Sequence, residues 1–260
     1  MVSVMDVKIN YLEKPKLRNP ILVEGLPGVG GVGRIAVYYI VEKLKAKKFA
    51  ELTSSYFFPL VLISPEHELT TLKLEFFYYK GKGRDIIFVG GDSQPVENRG
   101  YFDICEKILE VAKEMNVKDI ITVGGFGTGV EVEKPRVLGA VTDKKLVKTY
   151  QDYGVVFEEK SKIGSIYGIS GLLLGMAKSE KIDGCALLAE TIGYPILTDP
   201  KAAESVVRVL MNILEIKVDL KAMDKSVKQL ESFLKELEDK TKQFGHQMQK
   251  PTKDYTEYIG

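Results

Sequence analysis

A repeated junction constrains this chain most: a short apolar run stops at glycine and gives way to a helical stripe. Pro20–Val23 runs into the glycine-rich turn Gly25–Gly33, Ile86–Val89 into Gly90-Gly91, and Asp119–Val123 into Gly124-Gly125. Gly184–Ala189 runs into Glu190-Thr191-Ile192-Gly193-Tyr194. After the first turn, Val32, Ile35, Ala36, Tyr39, Ile40 and Leu44 fall on one helical face. Ile104, Cys105, Ile108, Leu109, Ala112 and Met115 mark a second helix, and Ile166–Lys178 a third made of small residues. Asp143–Tyr150 predicts a short helix closed by Gly154. Asp199-Pro200 supplies an N-cap and a first-turn proline for another, buried through Ala203, Val206, Val207, Leu210 and Leu214.

The apolar run Phe57–Ile63 predicts a strand covered on both faces. Leu72, Leu74, Phe76 and Tyr78 alternate with Lys73, Glu75 and Phe77, then Gly81-Lys82-Gly83 turns the chain into Ile86, which predicts a hairpin. Strands alternating with helices predict an α/β three-layer sandwich with a mainly parallel sheet, forming one domain over residues 1–217.

From residue 218 the texture changes. Leu220, Met223, Val227, Leu230, Leu234 and Leu237 are spaced 3, 4, 3, 4 and 3 apart, a heptad seam. It predicts an amphipathic helix over 218–248 that packs inside the subunit or between subunits, followed by a flexible tail over 249–260. Eight lysines and eight acids between Val218 and Gly260 exclude a basic nucleic-acid arm.

Over the whole chain, 37 basic and 36 acidic residues leave a net charge of +1, which gives no long-range pull on polyanions. Cys105 and Cys185 are too few for a disulfide framework, and His67 and His246 too scattered for a histidine-based metal site. Glu66-His67-Glu68 resembles a metal tripeptide, but neighbours on a strand point to opposite faces, so a solvated loop is expected. The longest uncharged run, Ile163–Ala177, is too short and too rich in glycine for a membrane span. The start Met1–Asp6 has no apolar targeting segment, so the chain is expected to be cytoplasmic.

Gly28-Val29-Gly30-Gly31-Val32-Gly33 matches G-x-G-x-x-G between a strand and a helix, the spacing that brings a pyrophosphate to a helix N-terminus. The acid that would take the ribose falls near Glu51, before a weak strand. The simpler reading is a tight turn that needs positive φ and close packing. Loops at the carboxyl ends of parallel strands share one rim, so Gly28, Gly30, Asp92 and Glu190 form a candidate ligand rim, with Ser93, Thr191 and Tyr194 nearby. Asp92 or Glu190 could act as a general base there, or both could be turn formers and caps. No nucleophile–base pair is visible, and no catalytic residue or cofactor is assigned.

Read in order, Gly25-Leu26-Pro27-Gly28-Val29-Gly30, Gly91-Asp92-Ser93-Gln94-Pro95, Gly124-Gly125-Phe126, Gly168-Ile169-Ser170-Gly171-Leu172-Leu173 and Ala189–Tyr194 resemble the proteasome assembly chaperone family in its archaeal branch. The resemblance implies a three-layer α/β fold, no catalytic set, homo-oligomers, and association with the proteasome core particle. It also draws attention to the tail. Activators of this kind end in a hydrophobic residue, Tyr and one further residue, docking on the proteasome α-ring. Here Glu257-Tyr258-Ile259-Gly260 departs from that pattern by one position, so Tyr255, Tyr258, Ile259 and Gly260 are candidates for contact with the α-ring or another protein. The rival reading is a nucleoside or phosphate-ester enzyme, or a ligand-binding protein, using the glycine rim.

Overall fold

A computed structural model describes residues 6–64, 66–158, 163–194, 197–225 and 227. In chain order the elements are β1 (Val7–Tyr11), β2 (Ile21–Glu24), a 3-10 turn (Val29–Gly31), α1 (Val32–Leu44), β3 (Lys47–Ser54), β4 (Val61–Ile63), β5 (Leu69–Thr71) and β6 (Lys73–Tyr79). Then follow β7 (Ile86–Gly91), α2 (Asn98–Glu114), β8 (Asp119–Gly127), β9 (Val137–Val141), a 3-10 turn (Lys144–Leu146), α3 (Val147–Asp152), α4 (Ile169–Ser179), β10 (Asp183–Thr191) and α5 (Pro200–Ile213).

Among the described residues, eight strands form one sheet in the order β1-β3-β6-β7-β2-β8-β10-β9. The centre is parallel: β2 pairs with β7 and β8, and β8 with β10. The flanks are antiparallel, through β1–β3, β3–β6, β6–β7 and β9–β10. The sheet is therefore mixed rather than mainly parallel. The reason lies in the connections. β6 and β7 are joined by the Gly81–Gly83 turn, which is too short to cross the sheet, and parallel pairing needs a crossover.

Helices α2 and α4 cover one face, over a core that includes Leu22, Phe49, Phe76, Ile104, Ile108 and Leu173. Helices α1 and α5 cover the other, over Val23, Ile40, Phe88, Ile121, Leu187 and Val206. All four residues of β2 are buried, as a strand flanked and covered on every side must be. The Asp199 carboxylate caps α5 by accepting the Ala202 N–H at 2.9 Å, as the Asp-Pro pair predicted.

Phe57–Ile63 does not become a covered strand. Val61–Ile63 pairs only with Leu69–Thr71, antiparallel, in a separate two-stranded ribbon whose apolar side chains are exposed. Glu66, His67 and Glu68 lie in the turn of this ribbon, where the Ser64 hydroxyl oxygen accepts the Glu66 and Glu68 N–H groups at 3.1 and 3.2 Å.

After α5 the chain turns back along α1. Asp219 accepts the Lys221 N–H at 3.0 Å, and helix runs over residues 221–225 and through Val227. The Tyr39 hydroxyl donates to the Asp219 carbonyl at 2.6 Å. Met223 is buried and Leu220 half-buried against the α1–α5 core, so the first two members of the seam turn inward. Val227 is half-buried. Leu230, Leu234 and Leu237 lie outside the described residues, as do Tyr255, Tyr258, Ile259 and Gly260. Among the described residues, no helix is long and apolar enough to cross a membrane.

Candidate functional site

The carboxyl ends of β7, β2, β8 and β10 form one rim, and the glycine turn crosses it. Gly30 and Gly31 both hold positive φ, 63° and 61°, which glycine adopts without strain. Gly33 sits so close to β8 that a methyl group there would lie 2.4 Å from the Val123 carbonyl oxygen. A methyl on Gly125 would lie 2.4 Å from the Val29 carbonyl oxygen. The turn is thus pressed against β8 backbone to backbone. Gly28 differs: its backbone is extended, and a methyl there would meet only Gln94, at 3.8 Å.

The rim side chains are committed to holding this packing together. Thr191 Oγ1 donates to Asp199 Oδ2 at 2.6 Å, beside Gly30, and the Asp199 N–H donates to the Gly30 carbonyl at 2.7 Å. Gln94 bridges two loops: its Nε2 donates to the Pro27 carbonyl at 2.6 Å, and its Oε1 accepts the Ile169 N–H at 3.0 Å. Asp92 accepts from Arg34 of α1 at 3.4 Å and from the Lys73 N–H at 3.3 Å. The Ser93 hydroxyl donates to the Gln94 carbonyl at 2.8 Å. Glu190 is gripped by Arg136, whose Nε donates to Oε2 at 2.9 Å and whose Nη2 reaches Oε1, while Arg136 Nη1 binds Glu158 at 3.0 Å. Tyr194 is exposed. Gly28, Gly30, Asp92 and Thr191 therefore belong to one neighbourhood, whereas Glu190 is turned to the Arg136 side of the rim.

The topology also places the acid near residue 51. β3, the strand after α1, is separated from β2 by β6 and β7, roughly 14 Å away at ~4.8 Å per strand. Glu51 there binds Lys48 and Lys73, at 2.5 and 2.7 Å, and these bonds hold its carboxyl below the usual carboxylate range. It does not stand beside the glycine turn, as a ribose-binding acid must.

One residue at this rim was not singled out from the sequence. Glu24, the last residue of β2, is fully buried. It lies opposite Thr122 of β8 and Val89 of β7 in the sheet register. Its Oε1 accepts the Leu26 N–H at 3.2 Å. Burial pushes its carboxyl up to about 8, against the smaller opposing pull of the Ser170 hydroxyl and the Leu26 N–H. Glu24 Oε2 and Thr122 Oγ1 are the buried side-chain oxygens that lack a hydrogen-bond partner among the described residues. Burial also raises the Cys105 thiol, with Glu24 adding to the shift, so this cysteine is an inert core residue. The signal was present: an acid closes an otherwise apolar run, Ile21-Leu22-Val23-Glu24, directly before glycine.

Two cavities of about 450 Å³ lie outside the glycine turn, the second adjoining the rim where Gly168 meets Gln94. One, at the opposite end of the sheet, is lined by residues including Asn19, Tyr79, Arg84 and Lys217, with Arg84 tied to Asp119 at 2.6 Å. The other is a groove between α2 and α4, lined by Tyr101, Phe102, Tyr167, Leu172 and neighbouring residues.

Comparison with known proteins is consistent with this architecture. The crystal structure of PbaB from Pyrococcus furiosus, described as an archaeal proteasome activator, aligns with a TM-score of 0.85 and 37% identity, covering 90% of this chain and 99% of its own. PbaA from the same organism, described as an archaeal homolog of proteasome-assembly chaperone, aligns with a TM-score of 0.73 and 29% identity, covering 92% and 95%. An uncharacterised protein of Methanocaldococcus jannaschii is 32% identical over 266 residues, covering 100% of this chain and 99% of its own. The PAC2 family model matches residues 22–238. The resemblance to archaeal proteasome assembly chaperones read from the ordered glycine blocks is borne out, and the chain belongs to the PAC2 family.

Proposed function

We propose that this chain is a non-enzymatic, homo-oligomeric scaffold that contacts the proteasome core particle through its C-terminal tail. The observation that carries the reading is the similarity to PbaB, an archaeal proteasome activator, along 99% of that chain. The rim supports it. Asp92 and Glu190, the carboxylates a hydrolytic or phosphorolytic reaction would use, are spent on Arg34, the Lys73 N–H and Arg136. The glycines of the turn serve its close packing on β8.

In this reading residues 1–217 form the body, 218–248 a helix that starts against it at Leu220 and Met223 and projects from or seals the assembly, and 249–260 a tail carrying Tyr255, Tyr258, Ile259 and Gly260. The helix start capped by Asp219 supports that division. A terminal carboxylate with a nearby Tyr has a charge-assisted partner in a lysine and a ring to bury. One tail binds weakly, and several on one symmetric body bind together through effective concentration. The protein acts in the cytoplasm, where the core particle is.

Capture of purified core particle by the full chain tests this, against a Tyr258→Ala variant and a chain ending at Pro251. Capture by the full chain and its loss in both variants is the expected result. Equal capture by all three removes the tail from the mechanism, and no capture by any overturns the proteasome contact.

A further inference from the structure

The end of the sheet opposite the glycine rim carries a row of cations that the topology assembles. The parallel strands β2, β7, β8 and β10 all begin at this end, and antiparallel pairing puts the start of β3 and the β6–β7 turn there too. In sheet order the row reads Lys47 at the start of β3, Lys82 in the β6–β7 turn, Arg18 before β2, Lys118 before β8 and Lys181 before β10. From β3 to β10 is five strand steps, so the row is about 24 Å long at ~4.8 Å per strand. Each of these residues is exposed.

The acids at the starts of these strands are engaged. Asp119 binds Arg84 at 2.6 Å, Asp183 binds Lys145 at 3.2 Å, and the buried Asp85 accepts the Arg18 N–H at 2.7 Å. Lys47, Lys82, Lys118 and Lys181 have no ion pair among the described residues. Arg18 spends its Nη2 on the carbonyls of Gly81 and Lys82, at 3.3 and 2.7 Å, which fixes the turn and leaves the guanidinium charge uncompensated. A helix C-terminus attracts lysine, which accounts for Lys181 after α4. Lys47, Lys82 and Lys118 stand past the reach of any such end. The cavity of about 450 Å³ at this end adjoins the row: Lys82 and Lys217 line it with Tyr79, and Glu215 is the acid in its wall.

We propose that this basic row is a docking surface for an acidic segment of a partner protein. About seven extended residues span 24 Å at ~3.4 Å per residue, so a short run of Asp and Glu matches the row in length and in sign. Each exposed Lys–carboxylate pair is weak, and several held on one rigid sheet end act together. The cavity beside Lys82 gives such a segment a recess off the row. The chemistry favours a protein over a nucleic acid. The exposed aromatic rings of Phe58, Phe102, Tyr167 and Tyr194 belong to segments at the rim end of the sheet, so none flanks the row to stack a base. The net charge of +1 gives no pull on a polyanion longer than the row. The surface belongs to the body and owes nothing to the tail, so it stands or falls apart from the core-particle contact proposed above.

The test is the fluorescence anisotropy of a labelled octaglutamate peptide titrated with the full chain, at about 25 and about 150 mM salt, where binding should weaken as salt rises. Lys82→Glu/Lys118→Glu should weaken binding about 10-fold or more, and Lys8→Glu/Lys134→Glu, the same change of net charge placed off the row, less than about 2-fold. Lys82→Gln/Lys118→Gln removes the charges without reversing them and should fall between. All four lysines are exposed, so far-ultraviolet circular dichroism should stay native in every variant. Absence of binding at the lower salt overturns the proposal, as does an equal loss in the two charge-reversed pairs. Octathymidylate and phosphatidylserine vesicles are titrated alongside. Tighter binding of either, lost with Lys82 and Lys118, overturns the choice of a protein partner, and weaker binding of both supports it.

Discussion

Replacing Glu24 by Gln tests the idea that this carboxyl is held protonated by burial. In the fold its pKa is about 8, against 4.5 for the free side chain. Between those values the folded chain keeps a proton that the unfolded chain has released. The sign follows: the stability associated with the neutral acid is fully present below pH 4.5, falls as pH rises, and levels off above pH 8. The slope is about 1.4 kcal/mol per pH unit, so the loss is on the order of 5 kcal/mol across the window, with about 3 kcal/mol of it by pH 7. Glutamine keeps the shape and an oxygen for the Leu26 N–H but cannot ionise. The assay is urea unfolding followed by far-ultraviolet circular dichroism at pH 5, 7 and 9, with protein concentration held fixed because assembly adds to apparent stability. The wild-type-minus-variant difference should swing by several kcal/mol in favour of Gln as pH rises. A difference that stays flat would falsify the assignment of a buried neutral acid, because titrations elsewhere in the molecule cancel in the subtraction.

Three further perturbations separate packing from chemistry at the rim. Gly33→Ala places a methyl 2.4 Å from the Val123 carbonyl oxygen and should cost roughly 3 kcal/mol or more, read as a fall in melting temperature. Gly28→Ala, in open space with extended backbone, should change stability by less than about 0.5 kcal/mol and leave core-particle capture intact. Arg136→Ala strips the mostly buried Glu190 of its two-pronged partner and should cost about 1–3 kcal/mol, checked by the same unfolding curves. Unchanged stability in that variant would show that Glu190 does not depend on the clamp.

The parallel centre of the fold was legible because buried parallel strands are unbroken apolar runs and their exits need glycine, as at Ile21–Gly25 and Ile86–Gly91. The outer strands β1, β3 and β9 were not. β3 reads Lys-Lys-Phe-Ala-Glu-Leu-Thr-Ser, its charges serving an ion network with Lys73 and Glu75 that no local pattern reveals. β1 alternates, Val-Lys-Ile-Asn-Tyr, but is only five residues long, and β9 holds its place through pairing with the distant β10, as at Val141↔Cys185 and Val137↔Ala189. Phe57–Ile63 misled because hydrophobicity alone does not say whether a run is covered by its own chain. At the rim, the residues were found but their work was not: Asp92 and Glu190 look like free carboxylates until Arg34 and Arg136 arrive from distant segments. Glu24 stayed hidden because a single acid ending a strand is an ordinary event unless all its neighbours are known.

The place of β2 at the middle of the sheet has a consequence for how the molecule is made. Its residues leave the ribosome early, yet both strands that flank it, β7 and β8, are synthesised at least 62 residues later, and β10 only as the chain nears residue 191. Until β7 and β8 have been made, Ile21–Glu24 has no permanent neighbours in the sheet, and such distant pairings slow folding. The nascent chain thus carries an unpaired central strand until β8 is complete at Gly127, and the two cores on either side of the sheet cannot close before then.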